Sequence, residues 1–246
     1  MAERIDKIGF GGFELIQDDE MFCYGVDAVL LADAASARHH KRVADLGTNN
    51  GIIPLIMFAK DCIKEDATGF EIQHEACTIA GRNAARNGLS DRLKIIEIDI
   101  AGISFSEDMK KYAGTFDCVT ANPPYFEGNT AVISSRNALR TARHETTAPL
   151  DSFVQAASWL LCDKGWFYMI HRPARIIDIA ESCRHYRLEP KSVRFISPHP
   201  GEIPNLMIVI CRKNAGRELR FEKPISVYDD EGNYSDEILK IYGRDS

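Results

Sequence analysis

Short apolar runs alternate with longer amphipathic stretches along most of the chain, and this alternation limits the folds open to it. The apolar runs predict strands at 42–45, 67–71, 93–99, 116–121, 165–170, 192–197 and 205–212. Helical spacing of apolar residues predicts helices at 52–59, 73–87, 150–162 and 174–186. Strands that alternate with helices of this length favour an α/β fold with a mostly parallel sheet. The last two strands follow each other closely, which predicts an antiparallel hairpin at one edge of that sheet.

The size of the chain is consistent with one domain. It has 246 residues, of which 45% are hydrophobic, enough for a sizeable core. No apolar run approaches the roughly 18 residues that a membrane span needs, and the N-terminus mixes charged and apolar residues instead of resembling a signal peptide. The seven cysteines form no CxxC pair, so we expect neither structural zinc nor a disulfide framework. A cytoplasmic protein without a metal is the expectation.

Charge is distributed unevenly. Residues 1–120 contain 13 basic and 20 acidic side chains, whereas 136–194 contain ten basic and six acidic ones. If the protein binds a polyanion, the second segment is the expected contact. A solvated surface explains such a bias equally well.

The first predicted strand ends in a glycine-containing turn. The segment runs from Asp45 to Gly51 and leads directly into an apolar helix. Glycine permits a left-handed backbone and a close approach to a ligand. The turn lacks the GxGxxG dinucleotide fingerprint, but it resembles the D/E-x-G-x-G-x-G motif of class I S-adenosylmethionine (SAM) methyltransferases. The resemblance implies that Asp45, Gly47, Thr48, Asn49 and Gly51 contact the cofactor, with Asn49 standing where that motif has a third glycine.

Acidic residues also follow the next two strands. Glu71 lies 26 residues after Asp45, close to the spacing expected of an acid that binds ribose hydroxyls. Asp99 ends the following strand, where methyltransferases of this class use an acid to accept from the adenine amino group of the cofactor. With the residues after them, Ile72 and Ile100, they complete the predicted cofactor site.

The fourth strand ends in Asn122-Pro123-Pro124-Tyr125, which is the most specific signal in the chain. Two consecutive prolines fix the backbone and remove two donors, so they produce a stiff loop. The Asn122 side-chain oxygen and the Pro123 carbonyl could accept both N–H groups of an exocyclic amine and stabilise the charge that develops as it attacks. Tyr125 could stack on a flipped-out base. Asn122 also belongs to the predicted cofactor site.

Taken together, these four strand ends resemble the NPPY-type amino methyltransferases. The segments 17–34 and 142–145 and the C-terminal tail are similar to the bacterial family that N6-methylates the adenosine 3′ of the anticodon in valine tRNA. This resemblance implies a Rossmann-like, seven-stranded class I methyltransferase domain spanning 1–246. Within it, a helical extension at 1–40 would close over the site, and 41–246 would form the core.

The same resemblance implies an RNA-binding region. Tyr24, Arg140, Arg143 and His144 are its candidate substrate-binding residues. Further basic residues in the second half could extend the RNA track: Arg172, Arg175, Arg184, Arg187, Lys191 and Arg194. The expected reaction is direct in-line methyl transfer from SAM to the N6 amino group of a tRNA adenosine.

Two other functions stay open at this stage. The same fold could methylate the amide of a protein glutamine, a reaction that needs no basic residues at 136–194. The second alternative is a non-catalytic protein that binds SAM or RNA. Its main support is Asn49, which stands where the methyltransferase motif has glycine. The motif specifies an amino-group acceptor and leaves the oligomeric state undetermined.

Overall fold

The computed structural model describes residues 3–18, 25–125 and 149–244. A two-stranded hairpin comes first, formed by β1 (Glu3–Lys7) and β2 (Glu14–Asp18). The strands that follow are β3 (His40–Leu46), β4 (Ile63–Glu71), β5 (Leu93–Glu97), β6 (Phe116–Ala121), β7 (Leu161–His171), β8 (Leu188–Ser197), β9 (Leu206–Lys213), β10 (Arg220–Phe221) and β11 (Ile225–Ser226). The α-helices are α1 (Val26–Ser36), α2 (Ile52–Ala59), α3 (His74–Arg86), α4 (Leu150–Leu160), α5 (Ile176–His185) and α6 (Asp236–Ile241).

Seven of these strands form the sheet predicted from the sequence, in the order β8-β9-β7-β6-β3-β4-β5. Strands β3 to β7 pair in parallel, and β9 is antiparallel to both β7 and β8. The expected antiparallel hairpin at the edge is therefore confirmed. Two short strands, β10 and β11, extend that edge by pairing with β8. Because five strands are parallel, their carboxyl ends meet at one edge of the sheet.

Both faces of the sheet are buried. Along β7, Tyr168 and Ile170 pack into one hydrophobic cluster with α1 and α2, while Phe167 and Met169 pack into the other with α4 and α5. This division follows from the two-residue period of a strand. It also explains why the strands are continuous apolar runs, which the sequence analysis could recognise.

The N-terminal extension differs from the expectation. Residues 3–18 form a hairpin, so the predicted helical structure is wrong there; among the described residues of the extension it is correct for Val26–Ser36. In β1, charged residues such as Arg4 and Asp6 flank Ile5, which is itself 52% exposed, so this short strand has no buried apolar face for the sequence to reveal.

Asn83 of α3 and Asn87, which caps the C-terminus of that helix, hold the free edge of the hairpin. The Asn83 side chain accepts from the Ile16 N–H at 2.6 Å and donates to the Ile16 carbonyl at 3.1 Å. Asn87 makes the same pair of bonds with Glu14, at 2.9 and 2.7 Å. The spacings match, because four helical residues advance about 6 Å and two strand residues about 6.6 Å. Asn83 also donates to the Asn50 carbonyl at 2.9 Å, which joins the hairpin to the turn after β3.

Replacement of Asn83 by alanine should destabilise the protein by about 2–4 kcal/mol, because buried backbone groups of Ile16 and Asn50 lose their partners. Urea unfolding monitored by circular dichroism measures the change. Arg82→Ala is the matched control, since its neighbouring exposed ion pair with Glu3 should contribute little. Equal unfolding midpoints for the Asn83 variant and the wild type would contradict this account.

Candidate active site

The sequence-predicted residues at the carboxyl ends of β3, β4 and β6 lie at the same edge of the sheet. Asp45 pairs in register with Gly69 of β4 and with Thr120 of β6. Asn122 directly follows the last residue of β6, and Glu71 is the last residue of β4. The parallel sheet therefore brings together residues that are far apart in the sequence.

Asp45 is a buried carboxylic acid with a perturbed pKa. Its side chain is 1% exposed, and Oδ1 accepts a hydrogen bond from the Thr120 hydroxyl at 2.6 Å. Burial raises the pKa of Asp45 from 3.8 to about 7, although the neighbouring Thr120 and Thr48 hydroxyls lower it; the nearby Glu71 carboxylate adds a smaller rise. In the parts of the chain that the structure describes, Asp45 Oδ2 has no hydrogen-bond partner.

The turn after Asp45 adopts the conformation that its glycines predict. Gly47 and Gly51 have φ angles of 68° and 83°, and Asn49, with φ of 49°, is also left-handed. Asparagine tolerates that region better than most residues, so it can replace a glycine here. The Gly47 and Thr48 N–H groups both donate to the Phe70 carbonyl, at 2.8 and 3.1 Å.

Gly69 contributes to this turn, although the sequence analysis did not identify it. A Cβ atom at Gly69 would lie 2.6 Å from Thr48 Cγ2, a distance that real contacts do not reach. The missing side chain therefore leaves room for Thr48 against β4. Thr48 Oγ1 is buried and, like Asp45 Oδ2, lacks a partner among the described residues.

Glu71 connects the turn to the end of β4. Its Oε2 accepts from the Asn49 N–H at 2.9 Å, and its Oε1 accepts from the N–H groups of Ile72 and Gln73 at 2.9 and 3.0 Å. The side chain of the next residue, Ile72, is 39% exposed. A carboxylate and an apolar surface therefore lie side by side at this strand end.

Asp99 follows β5 and caps the short 3-10 helix Ile100–Phe105. Its Oδ1 accepts from the Ala101 N–H at 2.9 Å. Ile100 is only 7% exposed and packs into the core. The capping bond uses one of the two Asp99 oxygens, so it is compatible with the predicted adenine contact.

The Asn122–Tyr125 corner carries a compact set of polar contacts. Asn122 is half-buried, and its Oδ1 accepts from the Tyr125 hydroxyl at 2.7 Å. The Tyr125 ring lies 5.3 Å from the His171 ring in an edge-on arrangement, and the Arg172 guanidinium is 5.9 Å from the Tyr125 centroid. Pro123 is buried, whereas Pro124 is exposed.

A carboxylate from α1 completes this corner. Asp27 Oδ2 accepts from Asn122 Nδ2 at 3.1 Å and lies 3.3 Å from the Tyr125 hydroxyl. Asp27 belongs to a segment that the family resemblance covers, but its contact with Asn122 spans 95 positions and has no local signal. His171 was likewise not predicted; its position at the end of β7 could have indicated it.

Four predicted substrate-binding residues, Tyr24, Arg140, Arg143 and His144, lie outside the described residues. Of the proposed basic track, Arg184 and Arg194 form ion pairs with Glu189 and Glu237. Lys191 donates to the Gly216 carbonyl at 3.0 Å, and Arg175 pairs with Asp178. Arg172, another member of the track, lies beside Tyr125 of the candidate site.

Two features are absent from the described residues. In the part of the chain that the structure covers, no helix is long and apolar enough to cross a membrane. Within the same residues, no group of three or more His, Cys, Asp or Glu side chains could hold a metal ion.

Comparison with known proteins places this geometry in a family. The model of the methyltransferase small domain matches residues 13–175, more than half of the chain. The chain belongs to this methyltransferase family.

Individual relatives extend the similarity over nearly the full length. The methyltransferase is 26% identical over 233 residues to a protein of Actinobacillus pleuropneumoniae named tRNA1(Val) (adenine(37)-N6)-methyltransferase, covering 94% of this chain and 93% of the relative. A Porphyromonas gingivalis protein of the same name is 27% identical over 242 residues, which cover 96% of this chain and 93% of the relative. A crystal structure of a predicted O-methyltransferase from Agrobacterium tumefaciens matches with a TM-score of 0.67 at 22% identity, covering 89% of this chain and 97% of that one. This match supports the Rossmann-like fold.

The residues of the site fit SAM, the methyl donor of this class of methyltransferase. Asp45 Oδ2 and Thr48 Oγ1 are buried polar atoms with hydrogen-bonding capacity left within the described structure. Carboxylates such as Asp45 and Glu71 suit the ammonium and ribose hydroxyl groups of SAM. The exposed face of Ile72 suits its aromatic base.

The perturbed pKa of Asp45 predicts an unusual dependence of stability on pH. Because its folded-state pKa is raised to about 7, its contribution to stability is complete below about pH 4 and is lost as the pH rises through 7. Asp45→Asn cannot ionise. The ligand-free variant should therefore gain free energy of unfolding over the wild type as the pH increases, by at most about 4 kcal/mol above pH 8.

Urea unfolding of both proteins between pH 5 and pH 8.5 measures this difference. A difference that stays constant over that range would show that Asp45 is already ionised in the folded protein at pH 5.

Proposed function

We propose that this methyltransferase uses SAM to methylate the exocyclic N6 amino group of an adenosine in tRNA. The observation that carries the proposal is the Asn122 amide at the end of β6, whose oxygen already accepts a hydrogen bond from a donor 2.7 Å away. The amino group of adenine is also a hydrogen-bond donor and could donate to the same oxygen. The names of the relatives support tRNA as the substrate and adenine 37 as the position.

The chemical problem is the low nucleophilicity of the adenine amino group, since its lone pair is delocalised into the ring. In the proposed mechanism, Asn122 Oδ1 and the Pro123 carbonyl each accept one of its N–H groups. These bonds favour a tetrahedral nitrogen and stabilise its developing positive charge. Tyr125 stacks on the base and fixes its position.

Bound SAM supplies a methyl group on a sulfonium. Transfer would replace its C–S bond with a new N–C bond, and the methylated, positively charged nitrogen would then lose a proton to water. No nucleophilic side chain is required. His144 lies in the basic segment, but a general base is not needed for this step.

The cofactor contacts that we propose follow the strand ends. Asp45, Gly47, Thr48, Asn49 and Gly51 would surround the methionine part. Glu71 would bind the ribose through the remaining lone pairs of its carboxylate, and Asp99 would accept from the adenine of SAM. Ile72, Ile100 and Asn122 would complete the cofactor pocket.

The tRNA contacts would come from Tyr24, Arg140, Arg143 and His144, with Arg172 beside the target base. The arginines would hold phosphates next to the flipped nucleotide. Arg184 and Arg194 already form ion pairs within the protein, so they are weaker candidates for binding RNA phosphates. We place the activity in the cytoplasm, where tRNA is modified.

Asn122→Ala should lower kcat by about 100-fold or more, because it removes an acceptor that is needed most in the transition state. The assay is transfer of tritiated methyl from SAM to total tRNA that lacks the modification, followed by nucleoside analysis for N6-methyladenosine. Thermal melting of the variant controls for folding. Full turnover by Asn122→Ala would disprove the mechanism.

The same assay separates the alternatives. Label in protein glutamine instead of RNA would support an amide methyltransferase, and charge reversal at Arg140 and Arg143 would leave that activity intact. SAM binding by calorimetry without transfer to either acceptor would indicate a non-catalytic protein.

A further inference from the structure

Asp27, Asn122 and Tyr125 form a triangle of hydrogen-bonding groups at the end of β6. Asn122 Nδ2 donates to Asp27 Oδ2 at 3.1 Å, and the Tyr125 hydroxyl donates to Asn122 Oδ1 at 2.7 Å. The third side, from the Tyr125 hydroxyl to Asp27 Oδ2, measures 3.3 Å. Neither the motif nor the mechanism above uses the carboxylate.

The orientation of the Asn122 amide decides whether methyl transfer is possible. With Nδ2 on Asp27, the amide oxygen is left for an amino group. Rotation of the amide by 180° would exchange the two atoms and present N–H groups to the N–H groups of the substrate. A carboxylate accepts hydrogen bonds but cannot donate them, so Asp27 favours the productive orientation.

The Tyr125 hydroxyl competes with the substrate for the same oxygen. A hydroxyl carries one proton, so Tyr125 donates either to Asn122 Oδ1 or to Asp27 Oδ2. Burial, with the Asp27 carboxylate nearby, raises the pKa of Tyr125 well above its usual value, so the phenol keeps that proton. Rotation about the C–O bond alone moves the proton from one acceptor to the other.

Asp27 sits on a rigid support. It lies in the first turn of α1, whose next four residues, Ala28 to Leu31, are all buried. Asp27 Oδ1 accepts from the Ala28 N–H at 2.9 Å, which holds the carboxylate in place. Gly25 leaves room for it, because a Cβ atom there would lie 2.8 Å from Asp27 Oδ1.

We propose that Asp27 is a positioning residue for methyl transfer, which orients the Asn122 amide and takes the Tyr125 hydroxyl bond when the target amino group binds Asn122 Oδ1. This inference rests on the proposed function. It assigns Asp27 no contact with the reacting atoms.

The test compares Asp27→Ala, Asp27→Asn and Gly25→Ala with the wild type. Asp27→Ala should lower kcat by about 10- to 100-fold and leave the KM for tRNA, the Kd for SAM and the Tm unchanged. Asp27→Asn keeps one acceptor oxygen and should retain an intermediate kcat. Gly25→Ala keeps Asp27 but displaces its carboxylate, so it should also lower kcat. Asp33→Asn is the control, since Asp33 lies on the same helix and pairs with Lys60 instead.

A second measurement does not depend on activity. In ¹⁵N spectra, the Asn122 side-chain amide, assigned by its loss in Asn122→Asp, should exchange with water faster in Asp27→Ala than in the wild type or Asp33→Asn. This result reports on the contact itself.

The outcomes separate the two claims. A kcat within twofold of wild type for Asp27→Ala would overturn the inference, as would a loss of kcat accompanied by an equal loss of SAM affinity or a lower Tm. If the wild type methylates no RNA, the proposed function fails. The spectra then decide, and unchanged exchange of the Asn122 amide in Asp27→Ala would overturn the role of Asp27.

Discussion

The candidate site depends on one buried carboxylate, Glu71, which accepts hydrogen bonds from backbone N–H groups of two separate segments of the chain. Its bonds to Ile72 and Gln73 shape the end of β4, and its bond to Asn49 holds the turn after β3. Hydrogen bonds to a charged acceptor are stronger than neutral ones. A shift of either segment would therefore disturb the other, and the glycine turn keeps its left-handed conformation within this frame.

The sheet supplies the second constraint, because it is buried on both faces. Helices cover each side, so ligands can reach the strands only at their ends. The parallel pairing of β3, β4 and β6 then collects Asp45, Glu71 and Asn122 at a single edge. The polar groups of the site are concentrated where the core cannot satisfy them, and the unpartnered Asp45 Oδ2 within the described structure is one result.

Much of this arrangement was predictable from the sequence. The positions of the strand ends could be predicted, because strands buried on both faces appear in the sequence as continuous apolar runs. Their meeting at one edge could also be predicted, because parallel strands align their carboxyl ends. The contacts of Asp27 with Asn122 and of Asn83 with Ile16 were not, because they join positions 95 and 67 apart and depend on how helices pack. The ion pair of Arg194 with Glu237, 43 positions away, was hidden for the same reason.

The contacts of Asn83 in α3 and of its C-cap residue Asn87 have a consequence for the hairpin. An outer strand normally exposes a row of unpaired N–H and carbonyl groups, to which another extended chain can add. Asn83 and Asn87 occupy those groups at Ile16 and Glu14, so a helix takes the place that a third strand would fill. The small sheet is thus closed to β-addition along β2 without any further strand.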